Sequence, residues 1–276
     1  MNPLAANRLL AAYVLGAPLV GGLLTGPLIL FAPDSDLVSW PKVVVLGGLA
    51  AWIWSRYRAP LERRLGWVGV SAGDVVRLGV PTLAATLALG VAMPGLASPL
   101  LWAEPPDRFG STALVADLLY LVLLAPLLEE WLFRGLLLRS YARARGGVFA
   151  LWATSVLFAL LHPGPSWFAF SLLMGWMLGR WVLSGGSLKA AFWVHLTNNA
   201  LAVGVYPFLP EGTLGPVGPA AALALLAVAA VVVVRFSRRH RLPAERPERP
   251  APVFSLSLGL VLLLGVLAQG TVLFFH

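Results

Sequence analysis

Three short stretches of an otherwise apolar chain carry side chains able to move protons. They are Glu129-Glu130-Trp131-Leu132-Phe133-Arg134, Phe158-Ala159-Leu160-Leu161-His162-Pro163-Gly164 and His195-Leu196-Thr197-Asn198-Asn199. An ionisable group inside a spanning helix costs several kcal/mol, so each is a functional candidate by default. Glu130 and Arg134, spaced i,i+4, share a helix face and can neutralise each other. Glu129 is turned from Glu130 by about 100° on a regular helix and is left without a partner in its own segment. Such a carboxylate, in a low-dielectric pocket, is a candidate general base. His162 closes an apolar segment just before a proline-glycine break, where a side chain can face an internal cavity. His195 and Asn199, again i,i+4, offer a hydrogen-bonding pair from one face of a third helix. Taken singly, each stretch has a plainer reading: charge at a helix end, an interfacial histidine, or polar contacts between helices.

Two chemistries fit the set. Glu129 can take a proton from water, His162 can orient that water or protonate a leaving amine, and His195 with Asn199 can hydrogen-bond a tetrahedral oxyanion. Alternatively, Glu129, His162 and His195 form a zinc set with an open position, and the second glutamate acts as base. The sequence holds no H-E-x-x-H, the pattern that places two zinc-binding histidines on one helix face; here the histidines come from different segments. Cysteine is absent, so disulfides and thiolate metal sites are excluded.

The elements that must position these groups are apolar helices. Hydrophobic residues make up 59% of the chain and charged ones 12%, with a mean hydropathy of +0.83. A soluble domain is about half apolar and a quarter charged. A spanning helix needs ~20 apolar residues, and the candidates are 9–31, 40–54, 75–94, 112–138, 147–162, 166–184, 187–207, 216–235 and 253–275. The fold class is therefore all-α: a polytopic transmembrane bundle of about eight or nine spans, forming one continuous membrane domain. It divides into N-terminal helices (1–111), core helices that carry the three motifs (112–207) and C-terminal helices (208–276). The segment 40–54 is short enough to be tilted, re-entrant or interfacial. The run 9–31 follows Arg8 as a signal peptide would, but it is too long for an h-region and lacks a small-residue cleavage pattern, so it reads as a retained helix.

Basic residues then set the orientation. With a cytoplasmic N-terminus, all of the 20 Lys and Arg residues except Lys42, Arg108 and Arg134 fall at cytoplasmic ends or loops. The outer loops carry Asp34, Asp36, Glu104, Asp107 and Glu211. This is the sorting that the positive-inside bias produces. The usage of Ala, Leu, Gly and Arg suggests a GC-rich bacterial genome, hence a bacterial plasma membrane. The net charge of +8 is spread over several loops without a nucleic-acid motif. The stretch 235–252 reads as a basic, proline-rich cytoplasmic linker to a last, separable helix, flanking the membrane or touching anionic headgroups. No internal repeat suggests a duplicated transporter.

Gly146-Gly147 lies midway between Glu129 and His162, so an antiparallel hairpin about that turn brings the two to one depth. His195 lies eight residues into its own helix, and joining it to them requires the hairpin to project past the cytoplasmic face. Asp117 and Gln269 are isolated and read as structural. Trp102, Trp167 and Trp193 read as interfacial anchors or packing residues.

Together the motifs resemble those of the CPBP family, the CAAX-processing and bacteriocin-immunity group of intramembrane proteases. Its pattern is E-E-x-x-x-R, F-x-x-x-H and H-x-x-x-N/D on successive core helices, matched here by Glu129-Glu130…Arg134, Phe158…His162 and His195…Asn199 over about residues 112–205. The resemblance implies a helical bundle whose polar cavity cleaves peptide bonds near the membrane, open toward the cytoplasm, with Glu129 as the essential carboxylate. Glu130, Arg134 and Phe158 then have supporting roles. The absent H-E-x-x-H and the separate origins of the histidines favour a reaction without cofactor, with zinc as the alternative, and the expected partners are a peptide or membrane-protein substrate and the lipid bilayer, not nucleic acid. A non-catalytic peptide-binding immunity or scaffold protein on the same fold is the other reading.

Overall fold

A computed structural model describes residues 2–32, 34–64, 67, 69–92, 112–162, 164–204, 217–243 and 251–275. Trp102, Glu104, Asp107, Arg108, Pro163, Glu211, Arg246 and Arg249 lie outside the described residues, as do the side chains of Arg63, Arg64 and Gln269. The chain is an all-α polytopic bundle, and among the described residues there is no strand.

Helix α1 (Pro3–Phe31) starts cleanly. The Asn2 side chain accepts the Ala5 N–H at 2.9 Å, and proline occupies the first helical turn, where its missing N–H costs nothing. A 3₁₀ turn at Asp36–Ser39 leads into α2 (Trp40–Arg64). The apolar run of 40–54 is thus only part of a 25-residue helix, and Asp36–Ala59 is apolar enough to cross a bilayer. The helix outlasts its apolar run because Arg56 and Arg58 are good helix formers whose aliphatic stems cover apolar surface while the charge reaches water.

Next come α3 (Ala72–Ala92), α4 (Thr112–Arg145), α5 (Gly147–Leu160), α6 (Pro165–Leu183), α7 (Leu188–Gly204), α8 (Pro219–Arg239) and α9 (Leu256–Phe275). Among the described residues five helices, α1 to α4 and α8, are long and apolar enough to span, and further apolar helices accompany them, as expected of an all-α polytopic bundle. Helix α5 is the short one, and the reason is local. Gly146, at φ 89°, starts α5 abruptly, and Gly164, at φ 101°, stands just before α6; both conformations favour glycine. A helix of 14 residues reaches only ~21 Å, less than the ~30 Å hydrocarbon core. Helix α5 therefore ends inside the bundle.

The core forms where α5 lies on α6, α8 on α3, and α7 between α3 and α4. Tyr141, Phe133, Phe158, Leu128 and Leu178 are fully enclosed there. The turn at Gly146 folds α5 back along the end of α4. With 34 residues, α4 is roughly 50 Å long, so it tilts or extends past the hydrocarbon.

The last helix is not separable. Helix α9 packs on the start of α1 and on α5, and Asn7, buried on α1, donates to the Val253 carbonyl at 2.7 Å and to Ser255 Oγ at 3.1 Å. Tyr141 of α4 donates to Asn7 Oδ1 at 2.6 Å. A buried amide must find such partners, and here they fasten both ends of the sequence to the core.

Candidate active site

The site grows from a change of helix pitch. Helix α4 is α-helical through Glu129, then π-helical over Glu130–Leu137, and an earlier π segment covers Leu119–Leu124. Wide π turns are rare and occur often at functional sites. Both glutamates are buried, Glu129 to 8% exposure and Glu130 to none.

Glu130 anchors the arrangement. Its Oε1 lies 2.9 Å from Arg134 Nη1 and accepts the Nδ1–H of His195 at 2.9 Å. The sequence spacing foresaw the first contact but not the second. The Arg134 guanidinium also lies 4.3 Å from the centroid of the Phe158 ring, a cation–π contact worth more when desolvated. Phe158 is the floor of the site. It is edge-on to Phe133 at 5.2 Å and to His195 at 5.7 Å, and lies 4.7 Å from His162. Gly175 of α6 lets this floor close, since a Cβ there would stand 3.3 Å from the Phe158 ring and 3.5 Å from Arg134.

Glu129 is held from two other helices. Tyr13 of α1 donates its O–H to Oε1 at 2.9 Å, while His195 Nε2 of α7 lies 3.6 Å from Oε2. His195 thus sits between the two glutamates, Nδ1 on one and Nε2 toward the other. With Nδ1–H fixed on Glu130, the neutral ring has an acceptor at Nε2. His162 follows the last turn of α5, and its Nδ1–H donates to the Phe158 carbonyl at 2.9 Å. Asn199 of α7 donates one amide N–H to the Leu121 carbonyl at 2.9 Å, within the first π segment.

Tyr13, Glu129, His162 and Asn199 share one cavity of about 1050 Å³, whose wall also includes Tyr120 and Trp167. That is at the upper end of the range for ligand sites. Its wall also includes Lys42 of α2 and Asp117 of α4, which form an ion pair. Asp117 is therefore not isolated, and Trp167 faces the cavity rather than serving only as an anchor; Trp193 remains 44% exposed on the outside of the bundle.

Glu129, Glu130, Arg134, Phe158 and His195 meet directly, and His162 and Asn199 join Glu129 on the cavity wall. Sequence reasoning missed Tyr13. Its signal was faint: a single phenol on an apolar helix, six residues after an asparagine that is equally out of place. Among the described residues, no three histidine, aspartate or glutamate side chains are arranged to hold a metal ion. The Nδ1 side of each histidine is engaged, that of His195 by Glu130 and that of His162 by the Phe158 carbonyl, which fixes the orientation of both rings.

Residues 111–201 match the family described as type II CAAX prenyl endopeptidase Rce1-like. The match covers a third of the chain and contains all three motifs. No curated protein and no solved structure matches the chain. The segment that brings Glu129, His162 and Asn199 to the cavity wall is thus similar to the Rce1-like membrane endopeptidases.

Proposed function

We propose that this protein hydrolyses a peptide bond of a membrane-associated substrate by metal-independent glutamate chemistry. The observation that carries the reading is the setting of Glu129: a buried carboxylate on a cavity wall, gripped at one oxygen by Tyr13 and facing His195 with the other. Oε2 of Glu129 and Nε2 of His195 are both acceptors, 3.6 Å apart. One water that donates an O–H to each would satisfy both and leave its lone pair free to attack a carbonyl carbon. Glu129 takes the water proton as the C–O bond forms. His162, on the same wall, steers the water or relays the proton from Glu129 to the departing amine as the C–N bond breaks. His195 holds the water through its Nε2 acceptor, and the second amide N–H of Asn199 stabilises the oxyanion; one such donor is worth ~10²–10³ in rate.

Glu130 and Arg134 are not proton carriers in this scheme. They fix the His195 ring, as a carboxylate on the far nitrogen of a working histidine does in other sites. The substrate is a peptide or membrane-protein segment entering from the bilayer or its cytoplasmic edge, and the basic helix ends favour a cytoplasmic N-terminus in a bacterial plasma membrane.

The test is cleavage of a labelled peptide library by purified protein in liposomes, wild type against Glu129→Gln, with and without chelator. Cleavage that is lost in the variant and indifferent to chelation supports the proposal. Loss on chelation with recovery on added zinc would give the chemistry to a metal, and binding without cleavage would make the protein a peptide-binding scaffold.

A further inference from the structure

The most informative contact at the cavity comes from outside the matched segment. Tyr13 lies in a single π turn, Ala12–Gly16, within the otherwise regular α1, and its O–H reaches Glu129 across 116 positions of sequence. The helix that carries it is not loosely placed. Two turns earlier, Asn7 is fully buried and fastened to Val253, Ser255 and Tyr141. A fixed anchor with a wide turn after it sets the phenol's direction, because each π turn changes the phase of the later residues in its helix.

From this geometry we infer that Tyr13 is a positioning residue of the active site, holding Glu129 Oε1 so that Oε2 faces the attacking water. The inference rests on the proposed role of Glu129 and adds α1 to the working parts of the enzyme. A carboxylate on one flexible stem has no preferred oxygen; a donor on one of them creates the preference. The other groups facing Glu129 are Tyr120 and the Glu130–Arg134 pair on its own helix, His162 after α5 and His195 on α7, with Lys42 of α2 on the same cavity wall. Of these, Tyr13 alone places a hydrogen bond on Oε1 among the described residues.

Tyr13→Phe removes the hydroxyl and keeps the ring. The expected result is a fall in kcat on the order of 10- to 100-fold, KM within about twofold, and an unchanged melting temperature in detergent. A second readout needs no substrate: the rate at which a hydrophobic carbodiimide labels Glu129 at one fixed pH, followed by mass spectrometry. It should rise several-fold in Tyr13→Phe, because the phenol that engages Oε1 is gone. Unchanged labelling, whatever the turnover does, overturns the inference. A full-rate Glu129→Gln protein instead removes the glutamate mechanism, and with it the catalytic meaning of Tyr13; an inactive Glu129→Gln beside a fully active Tyr13→Phe removes only the positioning role.

Discussion

Two ion pairs, one buried beside the cavity and one on its wall, share helix α4 and little else. The Glu130–Arg134 pair is 0% and 3% exposed at its side chains, has His195 on the same carboxylate oxygen and an aromatic ring against the guanidinium. The Lys42–Asp117 pair is 38% and 40% exposed, joins two helices and has one ring, Tyr120, near the ammonium. Burial decides what each can do. In a buried pair each charge depends on the other, and removing one partner leaves an uncompensated charge that costs about 3–5 kcal/mol. An open pair is screened by whatever fills the cavity and contributes about 1 kcal/mol or less. The first pair builds a rigid platform for chemistry, and the second is a replaceable clasp between α2 and α4.

The contrast can be broken at several points. Glu129→Gln should have the largest effect on activity, a loss of about 10²–10⁴ in kcat with the fold intact, checked by turnover beside a thermal melt. Arg134→Met should strip about 3–5 kcal/mol from the fold, seen as a lower melting temperature in detergent. Adding Glu130→Gln to it should restore part of that stability without restoring cleavage, because His195 has then lost its ionised partner. If the single Arg134 variant melts like wild type, the platform is not under the constraint its burial implies. Asp117→Asn should change stability by about 1 kcal/mol or less and leave kcat within a few-fold. A loss of activity there as large as that of Glu129→Gln would show the two pairs to be equals.

The same contrast explains how much could be read from the residues alone. Glu130 and Arg134 were legible because their partnership is local: four positions on one helix announce it. The hairpin about Gly146 was legible because a glycine pair interrupts an apolar run midway between Glu129 and His162. Lys42 and Asp117 were each visible as a charge out of place, but 75 positions separate them, and spacing says nothing about contacts between helices. Tyr13 was invisible for the same reason, and its phenol is also at home at a membrane interface. The extent of α2 and the docking of α9 were misjudged because hydropathy measures solubility in lipid, whereas helix length and packing are set by capping residues and buried polar contacts such as those of Asn7. The shortness of α5 was equally hidden: the run 147–162 is apolar enough to cross, and only the backbone shows it stopping within the bundle.

The π segment over Leu119–Leu124 has one more consequence. A wide turn takes up one residue more than an ordinary turn, so deleting a single leucine there would restore regular pitch. It would also swing Asp117 and Leu114 around the axis by about 100° relative to Glu129. Hydropathy, charge and every motif would survive such a deletion, yet the two ends of the cavity would no longer lie along the same side of α4. The geometry of this cavity is therefore stored partly as a count of lipid-soluble residues whose identities hardly matter.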